Sequence, residues 1–203
     1  NVDIFNDKGK PIKNSKGELV CKNPFPSMPI KFWNDKNDKK FKDAYFDRFS
    51  NTWHHGDFAE IKETGGFVIH GRSDTTLNPG GVRLGTAEIY SEVEKFKEIK
   101  ESIVVGQSWD NDVRVVLFIV MNSKFYLTED LLKKIKIQIK KNASPRHVPS
   151  KVIVVSDIPR TKSGKIVELA VKNTIEGNKI KNKEALANPK TLEQFKNLKE
   201  LNY

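Results

Sequence analysis

The segments KVIVV (residues 151–155) and PRTKSGK (residues 159–165) decide the fold that we predict for this chain. The first is a short apolar run typical of a buried strand, and the residues from Ile166 onward have the apolar spacing of a helix. A glycine-containing loop, which we expect to be mobile, therefore joins the strand to the helix and carries Lys165. The loop does not match a phosphate-binding P-loop, because Pro159 and Ile166 stand where that motif requires Gly and Ser or Thr. Lys165 is either an ordinary surface lysine or a cation that reaches phosphate or carboxylate oxygens.

Strand and helix patterns alternate in the part of the chain before this loop. Strands are predicted at residues 67–70, 103–105 and 113–121, and the third is a continuous apolar run typical of a central strand. Thr86 and Thr128 are predicted to cap the N-termini of two helices. The fold class is therefore α/β: a β-rich first part, then a small domain with a central sheet of about three strands and flanking helices.

The composition is that of a basic, soluble protein, with 37% hydrophobic and 31% charged residues, a net charge of +10 and a pI near 9.5. A module that binds nucleic acid is therefore one alternative. Against it, the lysines are scattered among acidic residues and no zinc-finger spacing is present, so we expect no nucleic-acid partner. No apolar run approaches the ~20 residues of a membrane span, and we expect no membrane association. The single cysteine, Cys21, fits a reducing compartment, and the cytoplasm (cytosol) is the expected location.

Four motifs carry a resemblance to a known family. They are WHHGD (residues 53–57), GGFVIHGRSD (65–74), NPGGVRLGTAEI (78–89) and PRTKSGK (159–165). In this order and spacing they resemble four consecutive motifs of the adenylate-forming acyl-CoA synthetases, and the similarity covers nearly the whole chain.

The acid is indicated by four further stretches, at residues 17–21, 24–29, 144–149 and 185–189. They resemble the branch of the family that activates acetoacetate. A sibling enzyme for another short-chain acid, such as acetate, is the alternative.

The resemblance implies a division of the chain. Residues 1–73 correspond to the β-rich, C-terminal part of a large N-terminal AMP-binding domain. Residues 74–177 correspond to a small mobile C-terminal domain with the lysine loop, and Asp74 to the hinge between the two. Residues 178–203 are predicted to be a basic, loosely held tail. The family's ATP loop and most of its acid pocket have no counterpart in the sequence, so we expect a fragment, inactive alone, whose remaining N-terminal domain lies upstream.

The resemblance also implies the chemistry and its residues. Such enzymes use ATP, CoA and Mg²⁺: a carboxylate attacks the α-phosphate of ATP to give acyl-AMP, and CoA then displaces AMP. Lys165 matches the catalytic lysine that bridges the carboxylate and the α-phosphate. Asp57 and Arg72 match the residues that bind the ribose, and Arg83 matches a phosphate-binding arginine. Without its motif, Asp57 would be read as an ordinary turn residue.

Two glycines complete the expected site. Gly80 and Gly81 match positions where the backbone approaches the pantetheine of CoA, which small residues permit. Acetyl-CoA synthetases commonly have Ser where Gly80 stands, so a side-chain contact would be lost. His54 and His55 do not predict a metal site, because adjacent histidines rarely converge on one ion. The ligands of Mg²⁺ cannot be named from the sequence.

Overall fold

The computed structural model describes residues 1–180 and 182–203, which form two compact units, Asn1–Asp74 and Thr75–Tyr203. The division falls directly after Asp74. No helix among the residues so described is long and apolar enough to cross a membrane.

The first unit is built on an antiparallel sheet with the strand order β1-β2-β3-β4. The strands are β1 (Val2–Phe5), β2 (Gly17–Cys21), β3 (Trp53–Ile61) and β4 (Phe67–Arg72). Alternation along β1 and β2 directs Phe5 and Val20 into a small core with Phe49. The β-rich first part predicted from the sequence is confirmed.

A short helix, α1 (Lys39–Tyr45), lies before β3 and was not predicted. Its start is stabilised by Asp35, whose carboxylate accepts the backbone N–H groups of Lys40 and Phe41, both at 2.8 Å. Tyr45 stacks on Trp53 of β3 with ring centroids 3.7 Å apart. Aromatic packing therefore attaches this helix to the sheet.

The second unit contains a three-stranded sheet with the order β5-β6-β7. Strands β5 (Ile99–Trp109) and β6 (Asp112–Met121) form an antiparallel hairpin, and β7 (Lys151–Val154) is parallel to β6. The hairpin turn is Asp110-Asn111, both with positive φ (48° and 58°), as a two-residue turn of this kind requires. The three-stranded sheet and the central position of residues 113–121 are confirmed.

Helices cover both faces of this sheet: α2 (Ala87–Val93), α3 (Glu129–Asn142) and α4 (Glu168–Ile175). The first two pack on one face and α4 packs on the other. Thr128 caps α3 as predicted, since its hydroxyl accepts the N–H of Leu131 at 3.2 Å. Thr86 occupies the N-cap position of α2 as predicted, but its side chain makes no capping hydrogen bond. Short 3-10 turns complete the chain, at Lys36–Asp38, Ser73–Thr75, Pro79–Gly81, Pro145–His147, Lys183–Ala185, Pro189–Phe195 and Lys199–Leu201.

The tail predicted at residues 178–203 is not loosely held where the structure describes it, at residues 178–180 and 182–203, contrary to the prediction. Leu186, Leu192, Phe195 and Leu201 are buried in the core on the α4 side of the sheet. At its end, the guanidinium of Arg114 donates to the carbonyls of Leu201 (2.7 Å) and Tyr203 (2.9 Å). The tail is therefore part of the fold of the second unit.

Candidate functional site

The β3–β4 hairpin places Asp57 and Arg72 directly opposite each other. Nη1 of Arg72 lies 3.4 Å from Oδ1 of Asp57 and 3.4 Å from the carbonyl oxygen of His55. Nε of Arg72 lies 3.5 Å from Oδ1 of Asp74. Three residues that the sequence analysis selected, Asp57, Arg72 and Asp74, are thus in contact in the first unit.

Gly56 makes this arrangement sterically possible. Its φ is +85°, and a Cβ at this position would lie 2.8 Å from Nη2 and 3.0 Å from Nη1 of Arg72. These distances are shorter than any normal carbon–nitrogen contact. The guanidinium of Arg72 therefore rests against the bare backbone of β3, where only glycine leaves room for it.

His55 orients the same carboxylate from its other oxygen. Its Nδ1 lies 2.6 Å from Oδ2 of Asp57, so Arg72 and His55 contact different oxygens of one side chain. The side chain of Asp57 is 19% exposed, against 47% for His55. Sequence reasoning considered His55 only as a metal ligand. The signal that it missed is the i, i+2 spacing, which places two residues of one strand on the same face.

A second carboxylate, that of Glu18 on β2, supports β3 from the interior. Its side chain is fully buried, and its oxygens lie 2.8 Å from Nε2 of His54 and 2.9 Å from Nη1 of Arg48. It also accepts a hydrogen bond from the hydroxyl of Ser73. This buried charge therefore ties β2 to the residues that flank the Asp57–Arg72 pair. It was missed because nothing in the sequence shows that these groups converge.

Lys165 is exposed on a short hairpin of residues 160–166. The N–H of Thr161 donates to the carbonyl of Lys165 at 2.9 Å, and the N–H of Lys165 donates to Oγ1 of Thr161 at 3.1 Å. Nη1 of Arg160 donates to the carbonyl of Gly164 at 3.0 Å. The backbone of this loop is thus closed by hydrogen bonds. Within residues 1–180 and 182–203, the ammonium of Lys165 makes no hydrogen bond or ion pair.

The second unit also carries Gly80, Gly81 and Arg83. Both glycines have positive φ (58° and 74°), and a Cβ at either would meet no atom within 4 Å. The N–H of Gly80 donates to both oxygens of Asp112, at 2.9 and 3.0 Å. Arg83 is half-buried and its Nε donates to Oγ1 of Thr76 at 3.1 Å. The backbone at the glycines is therefore held firmly and faces open space.

The described residues contain no group of three or more His, Cys, Asp or Glu that could hold a metal ion. We name no magnesium ligand and assign no step to magnesium.

The comparisons with known proteins confirm the resemblance that the four motifs indicated. Residues 88–165 match the family model of the AMP-binding enzyme C-terminal domain. Over 200 residues the chain is 60% identical to the acetoacetyl-coenzyme A synthetase of Rhizobium meliloti, covering 98% of this chain and 31% of that protein. The acetoacetyl-CoA synthetase of Gallus gallus is 46% identical over 202 residues, which are 98% of this chain and 30% of the relative. The chain thus spans about 30% of the length of these curated relatives.

Solved structures give the same result. The structure of acetoacetyl-CoA synthetase from Streptomyces lividans superimposes with a TM-score of 0.89 at 40% identity, over 96% of this chain and 30% of that one. A benzoate CoA ligase from Burkholderia xenovorans LB400 superimposes with a TM-score of 0.70 at 24% identity, over 85% of this chain and 33% of that one, and this shows the fold alone. The α/β fold predicted from the sequence is confirmed.

Proposed function

We propose that the chain forms part of an ATP-dependent acid–thiol ligase that converts acetoacetate and CoA to acetoacetyl-CoA. The observation that carries this proposal is the 60% identity, over 98% of the chain, with the Rhizobium meliloti acetoacetyl-coenzyme A synthetase. In the first step a carboxylate oxygen attacks the α-phosphorus of ATP, and pyrophosphate leaves as acetoacetyl-AMP forms. In the second step the sulfur of CoA attacks the acyl carbon, the thiol proton is lost, and AMP leaves.

Lys165 is the proposed catalytic residue of the first step. That step brings together two anions, so a cation placed where their charges meet lowers the barrier most directly. Its ammonium is exposed on a hydrogen-bonded hairpin and is not neutralised by an acidic side chain of the described residues. A single preorganised donor of this kind typically contributes ~3 kcal/mol to the transition state.

Asp57 and Arg72 form the proposed ribose site. An ionised carboxylate accepts about four hydrogen bonds, so Asp57 can receive two ribose hydroxyls in addition to its contacts with Arg72 and His55. Those two contacts hold the carboxylate in one orientation before nucleotide arrives. The preorganisation lowers the entropic cost of binding.

Asp74 is the proposed hinge. The residues just before it are fixed, because Arg72 contacts Asp57 and the Ser73 hydroxyl donates to the buried Glu18. Backbone rotation at Asp74 would therefore leave the ribose site intact while the second unit changes its orientation.

Gly80 and Gly81 are proposed to contact the pantetheine arm of CoA, and Arg83 is proposed to bind phosphate. The support for the glycines is the open space beside a backbone that Asp112 holds in place. ATP and CoA are the proposed ligands, and Mg²⁺ would enter with ATP. We place the reaction in the cytosol, where an unpaired cysteine such as Cys21 persists.

The test uses a chimera in which residues 1–203 replace the matching 200-residue segment of the Rhizobium meliloti relative. We expect acetoacetate-dependent exchange of pyrophosphate into ATP, and acetoacetyl-CoA formation when CoA is added. Acetate and butyrate, run in parallel, measure the preference for the acid. A folded chimera that exchanges no pyrophosphate with any of the three acids would refute the proposal.

A further inference from the structure

The tail pairs with the hairpin that carries Lys165. The N–H of Ala187 donates to the carbonyl of Arg160 at 2.8 Å, and the N–H of Lys162 donates to the carbonyl of Ala185 at 3.1 Å. These bonds flank an antiparallel bridge between Thr161 and Leu186. Residues 185–187 are thus bonded to the hairpin through one β-bridge and its two flanking hydrogen bonds.

Asn188 fixes the base of the hairpin through three side-chain hydrogen bonds. Its Oδ1 accepts the N–H of Arg160 at 2.8 Å. Its Nδ2 donates to Oδ2 of Asp157 at 2.8 Å and to the carbonyl of Ile158 at 2.9 Å. One half-buried amide therefore connects residues 157 and 158, which follow β7, to the first residue of the hairpin.

The carboxylate of Asp157 is adapted to this contact. Burial raises the pKa of Asp157, but hydrogen bonds from Asn188, the Ile158 amide and Thr191 outweigh burial and leave it below its ordinary value. The carboxylate is therefore ionised at neutral pH and is a strong acceptor for the Asn188 amide.

The tail that supplies Asn188 is anchored in the core on both sides of it. Leu186 is 6% exposed, Leu192 is 1% exposed and Phe195 is fully buried. The ring of Phe195 packs edge-on against Phe118 of the central strand β6, with centroids 4.9 Å apart. Because the tail is packed on the sheet and bonded to the hairpin, it can restrict the movement of the hairpin backbone.

We propose that residues 185–188 (ALAN) position Lys165, with Asn188 as the main positioning residue. The proposal rests on the function proposed above for Lys165 in the first half-reaction. It also gives a role to the ALANP stretch, residues 185–189. With the hairpin backbone tied to the sheet, Lys165 moves with the whole second unit and not by opening of its own loop.

The test compares Asn188→Ala with Asn202→Ala in the chimera. Asn202 is the matched control, because it is an exposed asparagine of the same tail and its side chain makes no hydrogen bond to the hairpin residues that the structure describes. Asn188→Gln keeps the amide but displaces it by one methylene. It replaces Asn188→Ala in all three measurements if Asn188→Ala does not fold. Three quantities are measured: pyrophosphate exchange, thioester formation from supplied acetoacetyl-AMP, and amide hydrogen exchange of the peptide 158–167.

We expect Asn188→Ala to raise hydrogen exchange in that peptide about tenfold, because it removes the two hydrogen bonds that Asn188 makes to the peptide, at the Arg160 N–H and the Ile158 carbonyl. Pyrophosphate exchange should fall by about tenfold to a hundredfold through misplacement of Lys165, with thioester formation unchanged. Asn202→Ala should change none of the three. Equal loss in both half-reactions, or faster hydrogen exchange without slower pyrophosphate exchange, would overturn the proposal. If the unsubstituted chimera has no pyrophosphate-exchange activity, the function proposed above is refuted. If hydrogen exchange of the peptide 158–167 is unchanged in Asn188→Ala, Asn188 does not hold the hairpin.

Discussion

Replacement of Gly56 by alanine is predicted to damage nucleotide binding through Arg72. The new Cβ would lie 2.8 Å from Nη2 of Arg72, and the Arg72 side chain is 53% exposed, so it can move away into solvent. The clash is therefore relieved at the expense of the contact with Asp57. The backbone contributes a second effect, because a residue with a Cβ at φ +85° costs about 1–2 kcal/mol in stability.

The loss of affinity can be estimated from the same geometry. A hydrogen bond to a charged group contributes about 1.5–3 kcal/mol. Because Arg72 is half exposed and its contact with Asp57 is 3.4 Å long, we take the lower end. About 1.5 kcal/mol corresponds to a roughly tenfold weaker Kd for AMP.

Gly65 provides a matched control for the backbone effect. It lies in the same hairpin with φ +82°, and a Cβ there would meet nothing within 4 Å. Gly65→Ala should therefore lose a similar 1–2 kcal/mol of stability, by urea unfolding of the chain, without loss of AMP affinity. AMP binding is measured by titration calorimetry on the two chimeras. Equal AMP affinity in both would show that the position of Arg72 against β3 is not needed for nucleotide binding.

Two further predictions concern stability. Tyr90→Phe should cost about 1–3 kcal/mol in urea unfolding, because the buried hydroxyl donates to Oε1 of Glu168 at 2.5 Å and accepts the N–H of Val104 at 3.1 Å; an unchanged midpoint would mean that these bonds contribute nothing. The second concerns Glu92, whose pKa is held below its ordinary value of 4.5 by hydrogen bonds, first of all the one from Asn142. Ionised Glu92 therefore stabilises the fold above about pH 4.5, and this contribution is lost as the pH falls through the folded-state pKa. Glu92→Gln should therefore flatten the stability–pH curve below pH 5, and an unaltered acid limb would contradict the assignment.

Much of the second unit could be predicted because its sequence periods match its structure. The apolar run at residues 113–121 became the buried central strand β6, and Thr128 caps α3 as its position indicated. The motifs also selected Asp57 and Arg72, and the pairing of β3 with β4 brings these two residues face to face although they are fifteen positions apart. Local pattern and motif identity were sufficient for these features.

The tail and the support of the site could not be predicted, for a different reason. Leu186 directly follows the 3-10 turn Lys183–Ala185, and Leu192 and Phe195 lie within the 3-10 turn Pro189–Phe195, so the tail has no long helical or strand period that would mark it as buried. Glu18 and Asn188 act through contacts across 55 and 30 residues with Ser73 and Ile158. Such convergence depends on the three-dimensional path of the chain, which no short sequence pattern encodes.

The central claim is that the ammonium of Lys165 acts in adenylate formation and not in thioester formation. Its most direct test is Lys165→Ala in the chimera, with Lys162→Ala as the control because Lys162 is an exposed lysine of the same hairpin. Pyrophosphate exchange and thioester formation from supplied acetoacetyl-AMP are measured separately. We predict that Lys165→Ala slows pyrophosphate exchange a hundredfold or more, a loss of ~3 kcal/mol, and retains thioester formation. Lys162→Ala should change neither reaction. Equal losses in the two half-reactions for Lys165→Ala, or an exchange rate that survives it, would contradict the claim.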